Sequence, residues 1–202
     1  MWALVADNTI TKILNNPKRL VIDDIRYSTK IFSLWSKSEL EAKGIYEVVH
    51  DNTNKKDEAY YNNTNQSFAF AGGVATASYG SATAKPHADT LWTAQDEIDG
   101  KGTEGEVAVE GLKTKLIRTV KQQAAGELQN TDWYVVRKAD AGTAVPSAIT
   151  THRAAVRTKC AEMETAITNA ADTPALETLY TYTTDGEGVT SRPLGEFPIL
   201  DS

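Results

Sequence analysis

The 202-residue sequence contains a single cysteine, Cys160. No internal disulfide can form, and a zinc site built from several cysteines is excluded. Histidine is nearly as scarce. His50, His87 and His152 fall on different expected elements, and no two have the helical or hairpin spacing of metal ligands. No apolar run approaches the roughly 18 residues of a transmembrane helix, and the start, Met1-Trp2-Ala3-Leu4-Val5-Ala6-Asp7, lacks the basic region and apolar core of a signal peptide. Positive charge is in deficit, with 21 Lys+Arg against 27 Asp+Glu. A net charge of −6 argues against nucleic acid or an anionic membrane as the main partner. What remains is 41% apolar and 24% charged, the composition of a packed, soluble chain forming one medium domain or two small ones.

The patterning changes near residue 80. Before it the chain reads as β-rich. Trp2 to Ala6 and Thr9 to Leu14 flank Asp7-Asn8, a pair suited to a tight hairpin. From Arg19 to Phe32, apolar residues recur at intervals of two with a slip at Asp23-Asp24, giving one bulged strand or two strands. Ser36 to Gly44 carries helix delimiters: Ser36 with Glu39 as a capping box, Trp35 with Leu40 as a staple, and Gly44 as the stop. Ile45 to Val49 reads as a strand and Asp51 to Glu58 as a loop. Ser67 to Ala71 and Val74 to Tyr79 flank Gly72-Gly73, a further hairpin signal. The expectation is an α+β protein whose N-terminal module, 1–80, is an antiparallel sheet with one short helix.

Residues 81–106, rich in Gly, Ala, Thr and charge, read as a joint with a docked island at Leu91-Trp92. A helical region follows over 107–182, with three to four helices. Leu112, Leu116, Val120, Ala124 and Leu128 place one helix at about 108–129. Thr131-Asp132 starts a short continuation that Gly142 ends, and Pro146 opens the longest helix, striped by Ile149, His152, Val156, Cys160, Met163 and Ile167. Thr173-Pro174 begins a last short helix through about Tyr180. Residues 183–202 form an extended C-terminal tail, in which Asp185-Gly186 is a turn signal compatible with a final hairpin and Arg192 to Pro198 is expected to be extended. No internal repeat is present.

Few constellations suggest chemistry. Gly100-Lys101-Gly102-Thr103-Glu104-Gly105 matches the glycine spacing of dinucleotide sites, but an acidic run precedes it and Glu104 and Glu106 lie where phosphate would sit. His152 and Cys160 are eight residues apart, about 12 Å along a helix, too far for nucleophile activation. Asp23-Asp24, Glu162 with Glu164, and Asp185 with Glu187 read as solvated faces and turns, without a facing partner across a substrate cleft. No catalytic, cofactor-binding or metal-ligating residue is therefore assigned. Arg153 and Arg157, spaced i,i+4, form either a fork for carboxylates of a partner or neighbouring helix, or an exposed basic face. Trp133 and Tyr134 beside them favour the interaction reading, with core packing the equal alternative for Trp133.

The stretch from Leu128-Gln129-Asn130-Thr131-Asp132-Trp133-Tyr134 through Gly142-Thr143-Ala144-Val145-Pro146 to His152-Arg153-Ala154-Ala155-Val156-Arg157 resembles the helical C-terminal region of small bacteriophage tail proteins. These are described as tail-fibre assembly or tail assembly chaperone-like proteins. Leu40 to Val49 is similar to the module often placed ahead of that region. The likeness extends over about two thirds of the chain. It departs at His152, where an aromatic is expected, and at Phe197-Pro198, where tryptophan-proline is common in the group. The resemblance implies a non-enzymatic virion component, assembled in the host cytoplasm, that binds other tail, baseplate or fibre proteins in several copies, without nucleic acid, membrane or cofactor. Trp92, Trp133, Tyr134, Arg153, Arg157 and Phe197 are its expected contact residues. A chaperone absent from the finished particle, a glycan-cleaving tail enzyme, and a domain of unrelated cellular origin are the alternatives.

Overall fold

Asp7 and Asn8 take φ of 48° and 60°, a left-handed pair whose twist matches that of the flanking strands. In the computed structural model, which describes residues 1–200, they turn β1 (Trp2–Ala6) into β2 (Thr9–Leu14). Asp23 and Asp24, φ 50° and 62°, do the same between β3 (Leu20–Ile22) and β4 (Ile25–Tyr27). The slip in periodicity there is thus a turn between two strands. Single-turn α1 (Ile31–Leu34) and α2 (Lys37–Glu41) follow, then β5 (Ile45–Asp51). Short β6 (Tyr61–Asn62) precedes β7 (Ser67–Ala71) and β8 (Val74–Ser78), which are joined by Gly72-Gly73 with both φ positive. β9 (Thr83–Ala84) pairs with β6. The main sheet has the order β2-β1-β5-β8-β7.

The chain divides into two units, Met1–Thr83 and Ala84–Ser202. In the first, Leu14, Leu20, Ile31, Leu40 and Ile45 form one apolar cluster with Trp2, Tyr27, Phe32 and Trp35 packed on it. Trp2 meets Phe32 at 5.2 Å and Tyr27 meets Trp35 at 5.3 Å between ring centroids. The other sheet face buries Ala3, Val48, Ala75 and Ala77, with Ile13 of β2 and Phe70 of β7 joining them. Edge strands β2 and β7 touch, so this is the concave side. Alanines at its centre let the sheet curl while packing remains dense. Gly44 (φ 71°) stops α2, and its N-terminal neighbours hold the capping box, with the Ser36 N–H donating to Glu39 Oε2 at 2.7 Å. A Cβ at Gly44 would collide with the Val5 carbonyl, and the Val5 N–H donates to the Gly44 carbonyl at 2.8 Å.

In the second unit β10 (Thr90–Leu91), α3 (Ala94–Ile98) and β11 (Val107–Val109) precede four helices: α4 (Leu112–Gln129), α5 (Asp132–Ala141), α6 (Ser147–Asn169) and α7 (Thr173–Tyr180). Contacts of Lys113 with Thr168, Lys121 with Glu164 and Leu128 with Arg153 show that α4 and α6 run antiparallel. Between them lie Leu112, Val120 and Ala124 from α4 and Ile149, Val156, Met163 and Ile167 from α6. The start of α4 is capped from a distance. Asp89 accepts the Gly111 N–H and the Thr114 hydroxyl, both at 2.7 Å, while the Pro86 and His87 carbonyls accept the N–H groups of Leu112 and Lys113. A side chain at Gly111 would strike the backbone of Ala88. The Thr173 hydroxyl donates to the Lys85 carbonyl at 2.6 Å. These bonds stitch residues 85–89 into the helical unit. Asp172 caps α7 by accepting the Ala175 N–H at 2.8 Å.

The expected fold class is corrected on three points. The sheet is mixed, because β8 lies parallel to β5 (Val48 opposite Ala75). The Gly72-Gly73 turn fixes β7 against β8 but says nothing about which of them meets β5. The N-terminal unit has two helices, since α1 occupies residues read as the end of a strand; one turn with a single buried residue, Ile31, is too short to impose a helical period. The tail is not simply extended. β12 (Thr183–Thr184) and β13 (Thr190–Ser191) form a hairpin, closed by the Asp185 carboxylate, which accepts the N–H groups of Glu187 and Val189 at 2.9 Å. Within the stretch read as a joint, α3 is a folded helix with its own capping box, Thr93 with Asp96. The architecture is roughly α+β, β-rich first and helical second.

Candidate interaction surface

Thr131 and Asp132 turn α4 into α5, and Arg153 of α6 reaches that corner. Its Nη1 donates to the Leu128 carbonyl at 2.9 Å and the Thr131 hydroxyl at 2.7 Å, and pairs with Asp132 Oδ1 at 2.8 Å. Arg153 is only 8% exposed, so its charge is held by oriented acceptors in place of water. Of the two readings left open for this residue, the neighbouring helix is what it grips. Arg157 faces solvent, its Nη1 returning to the Arg153 carbonyl at 3.4 Å.

The clamp positions a helix with no buried residue. On α5, Trp133 is 51% exposed, and Val135 and Val136 are exposed beside it. The Trp133 and Tyr134 rings stand 4.0 Å apart between centroids, and the Arg137 guanidinium lies 4.6 Å from the first ring and 5.4 Å from the second. Stacking of this kind lowers the entropy each side chain loses on binding. The Arg137 Nε is buried without a hydrogen-bond partner among the described residues. Gly142, φ 69°, ends α5. Core packing, the alternative for Trp133, is not its environment here.

The other expected contact residues lie elsewhere. Trp92 packs on the α-carbon of Gly102, where a Cβ would clash with its indole, and its backbone bonds Glu106 and Gly105. Gly102 is therefore where the loop passes close over a tryptophan, and α3 comes before the glycine run where a dinucleotide site needs a helix after it. On α3 the Asp96 carboxyl is pulled down to about 2 by its hydrogen bonds from Thr93 and Lys101. Phe197 sits partly buried in the tail. That tail is fastened by a group the sequence reading missed: Arg192 pairs with Glu196 at 2.8 Å, Tyr182 donates to Glu196 at 2.5 Å, and the guanidinium lies 5.4 and 5.3 Å from the rings of Tyr180 and Tyr182. Buried Leu194 donates its N–H to the Leu179 carbonyl at 3.0 Å.

The titratable groups are spread across these structural tasks. Cys160 donates to Glu164 at 3.4 Å, and burial, with the neighbouring carboxylate adding to it, pushes its thiol upward, away from a reactive thiolate. Glu164 also pairs with Lys121, and Glu162 with Lys159. His50 contacts Gln66 at 3.2 Å. Among the described residues no three His, Cys, Asp or Glu side chains gather as a metal site, and no helix is long and apolar enough to cross a membrane. No protein-family model matches the chain, and no curated protein and no solved structure matches it either.

Proposed function

We propose that this is a non-enzymatic bacteriophage tail protein, a structural or adaptor component that binds other tail, baseplate or fibre proteins. The observation that carries the reading is α5. Ten residues are too few for a stable helix in water, yet this one displays Trp133, Val135 and Val136 to solvent and is pinned at its start by a buried arginine. A helix held rigid with its apolar side outward suits a partner's groove. Tryptophan, tyrosine and arginine together are the usual anchors of such contacts. Covering the exposed half of Trp133 is worth about 3 kcal/mol of apolar burial before the costs of association. Repetition of the contact around a symmetric tail would multiply that through avidity. The resemblance of Thr131 to Arg157 to tail assembly proteins supports the same reading, in which the protein is assembled in the host cytoplasm and resides in the virion tail.

The test is affinity capture from infected cells followed by quantitative proteomics of purified particles. The reading expects capture of tail or fibre proteins and a fixed copy number in the particle. Capture with no copies in the particle identifies a transient chaperone. A turnover on tail glycans that vanishes on replacing one carboxylate would overturn the non-enzymatic assignment.

A further inference from the structure

We propose that the open end of the concave sheet face in the first unit binds a neutral saccharide. The β7–β8 register sets Phe70 opposite Ala75 and Phe68 opposite Ala77. Both alanines are buried on the concave side, so both phenylalanine rings rise from that side, and the period of two carries it on from Ala77 to Tyr79. In the middle of this face the space is filled, with Phe70 against Tyr46 at 4.5 Å between ring centroids. The end of the face is not filled. It is a groove of about 540 Å³, within the range of ligand sites, with Met1 and Ile13 in its apolar lining. Phe68, 36% exposed, lines it together with Asn15, Thr64, Asn65, Gln66 and the half-buried Tyr79. No charged side chain is among the lining residues.

Two features select the ligand class. First, the polar lining is set in place by bonds to residues outside the groove. The Thr64 hydroxyl oxygen accepts the Gly80 N–H at 2.7 Å, Gln66 Nε2 meets His50 Nδ1 at 3.2 Å, and Asn54 Nδ2 donates to the Tyr79 carbonyl at 3.1 Å. Groups already held lose little freedom on binding. Second, what these bonds leave over is uncharged and includes both donors and acceptors. The Asn15 and Asn65 amides, the Gln66 carbonyl and the Thr64 hydroxyl proton have no partner among the described residues. A pyranose is the complement of this set, with an apolar C–H face for an aromatic ring and an edge of hydroxyls that donate and accept. An anion finds no cation in the lining, and Lys55, 5.7 Å from the centre of the Tyr79 ring, is paired with Glu58. A lipid chain would leave the amides unpaired. A peptide strand needs an open sheet edge, and β2 and β7 touch. No carboxylate lines the groove, so the chemistry offered is retention of a saccharide without cleavage. The site belongs to the first unit and does not depend on the tail-protein reading.

The experiment follows the side-chain amides of Asn15, Asn65 and Gln66 by NMR in the full-length protein. The probes are maltotriose, cellotriose, mannotriose and triacetylchitotriose, with hexathymidylate and acetyl-dialanine amide as the rival nucleic-acid and peptide chemistries. At least one trisaccharide is expected to give saturable shifts at these amides and to bind more tightly than either rival. Phe68→Ala removes the stacking ring and should weaken that binding at least fivefold. Asn65→Leu removes an exposed amide at similar volume and should weaken it at least threefold; it carries the test alone should Phe68→Ala disturb the sheet. The proposal is overturned if no trisaccharide gives a saturable shift, if hexathymidylate or the peptide binds as tightly as the best of them, or if either folded variant binds like the parent.

Discussion

Replacing Arg153 with methionine isolates what the α4–α5 corner depends on. Methionine keeps most of the apolar stem and the helix propensity of arginine, so the loss is that of the guanidinium. Nη1 serves the Leu128 carbonyl, the Thr131 hydroxyl and the Asp132 carboxylate. Thr131 is 2% exposed, and its own hydroxyl still donates to Leu128 at 2.9 Å, which softens the loss. Asp132 is more than half exposed and regains water, so its share is about 1 kcal/mol or less. Charged hydrogen bonds to two poorly solvated acceptors contribute the remainder, for a total of roughly 2–4 kcal/mol. The assay is urea unfolding followed by far-UV circular dichroism at 222 nm, which reports the helical unit. With a slope of about 1–3 kcal/mol per molar, the helical transition should move down by about 1 M or more. R157M, whose side chain faces solvent, should move it by less than about 0.5 kcal/mol. A loss below that figure for R153M as well would refute the clamp.

Trp133→Ala should change the stability of the free protein by less than about 1 kcal/mol, because the indole is half exposed, and should abolish capture of tail partners; equal capture would remove α5 from the interface. Gly44→Ala should destabilise the first unit by about 2–3 kcal/mol in denaturant titration, since the left-handed backbone and the Val5 carbonyl both resist a methyl group. Asp89 is held below the usual carboxylate range by the Thr114 hydroxyl and then the Gly111 N–H. A depressed folded value means its contribution is complete above pH about 4 and is lost as pH falls through that lower value; carboxyl-carbon NMR showing titration at or above the usual range would contradict the cap. Cys160 should react with a disulfide probe more slowly than free cysteine at pH 8, its thiol being raised by burial and by Glu164.

What the sequence discloses here is mostly local. Ser36 with Glu39, Asp7-Asn8, Gly72-Gly73 and Gly142 act through bonds within a few residues, and the structure uses each as its chemistry suggests. The misses are long-range. Nothing near β8 announces that it will lie parallel to β5. Asp89 caps a helix 22 residues away, and at that distance it looks like any loop acid. Arg153 and Arg157 share one spacing signal, yet only one is buried, because the packing of α4 rather than the repeat of α6 decides which is covered. Trp133 shows the same limit in reverse: composition allows core or contact, and only the position of α5 separates them. Arg192 with Glu196, at i,i+4, was the signal for the tail fastening, and its meaning came from Tyr180 and Tyr182 lying across it.

The most direct measurement of the central claim is hydroxyl-radical footprinting of Trp133 in the free protein and in purified phage particles. Oxidation of the indole should be rapid in the free chain and suppressed at least fivefold in the particle, where α5 would be covered. Equal oxidation in both, with the protein present in the particle, would contradict an interface on α5.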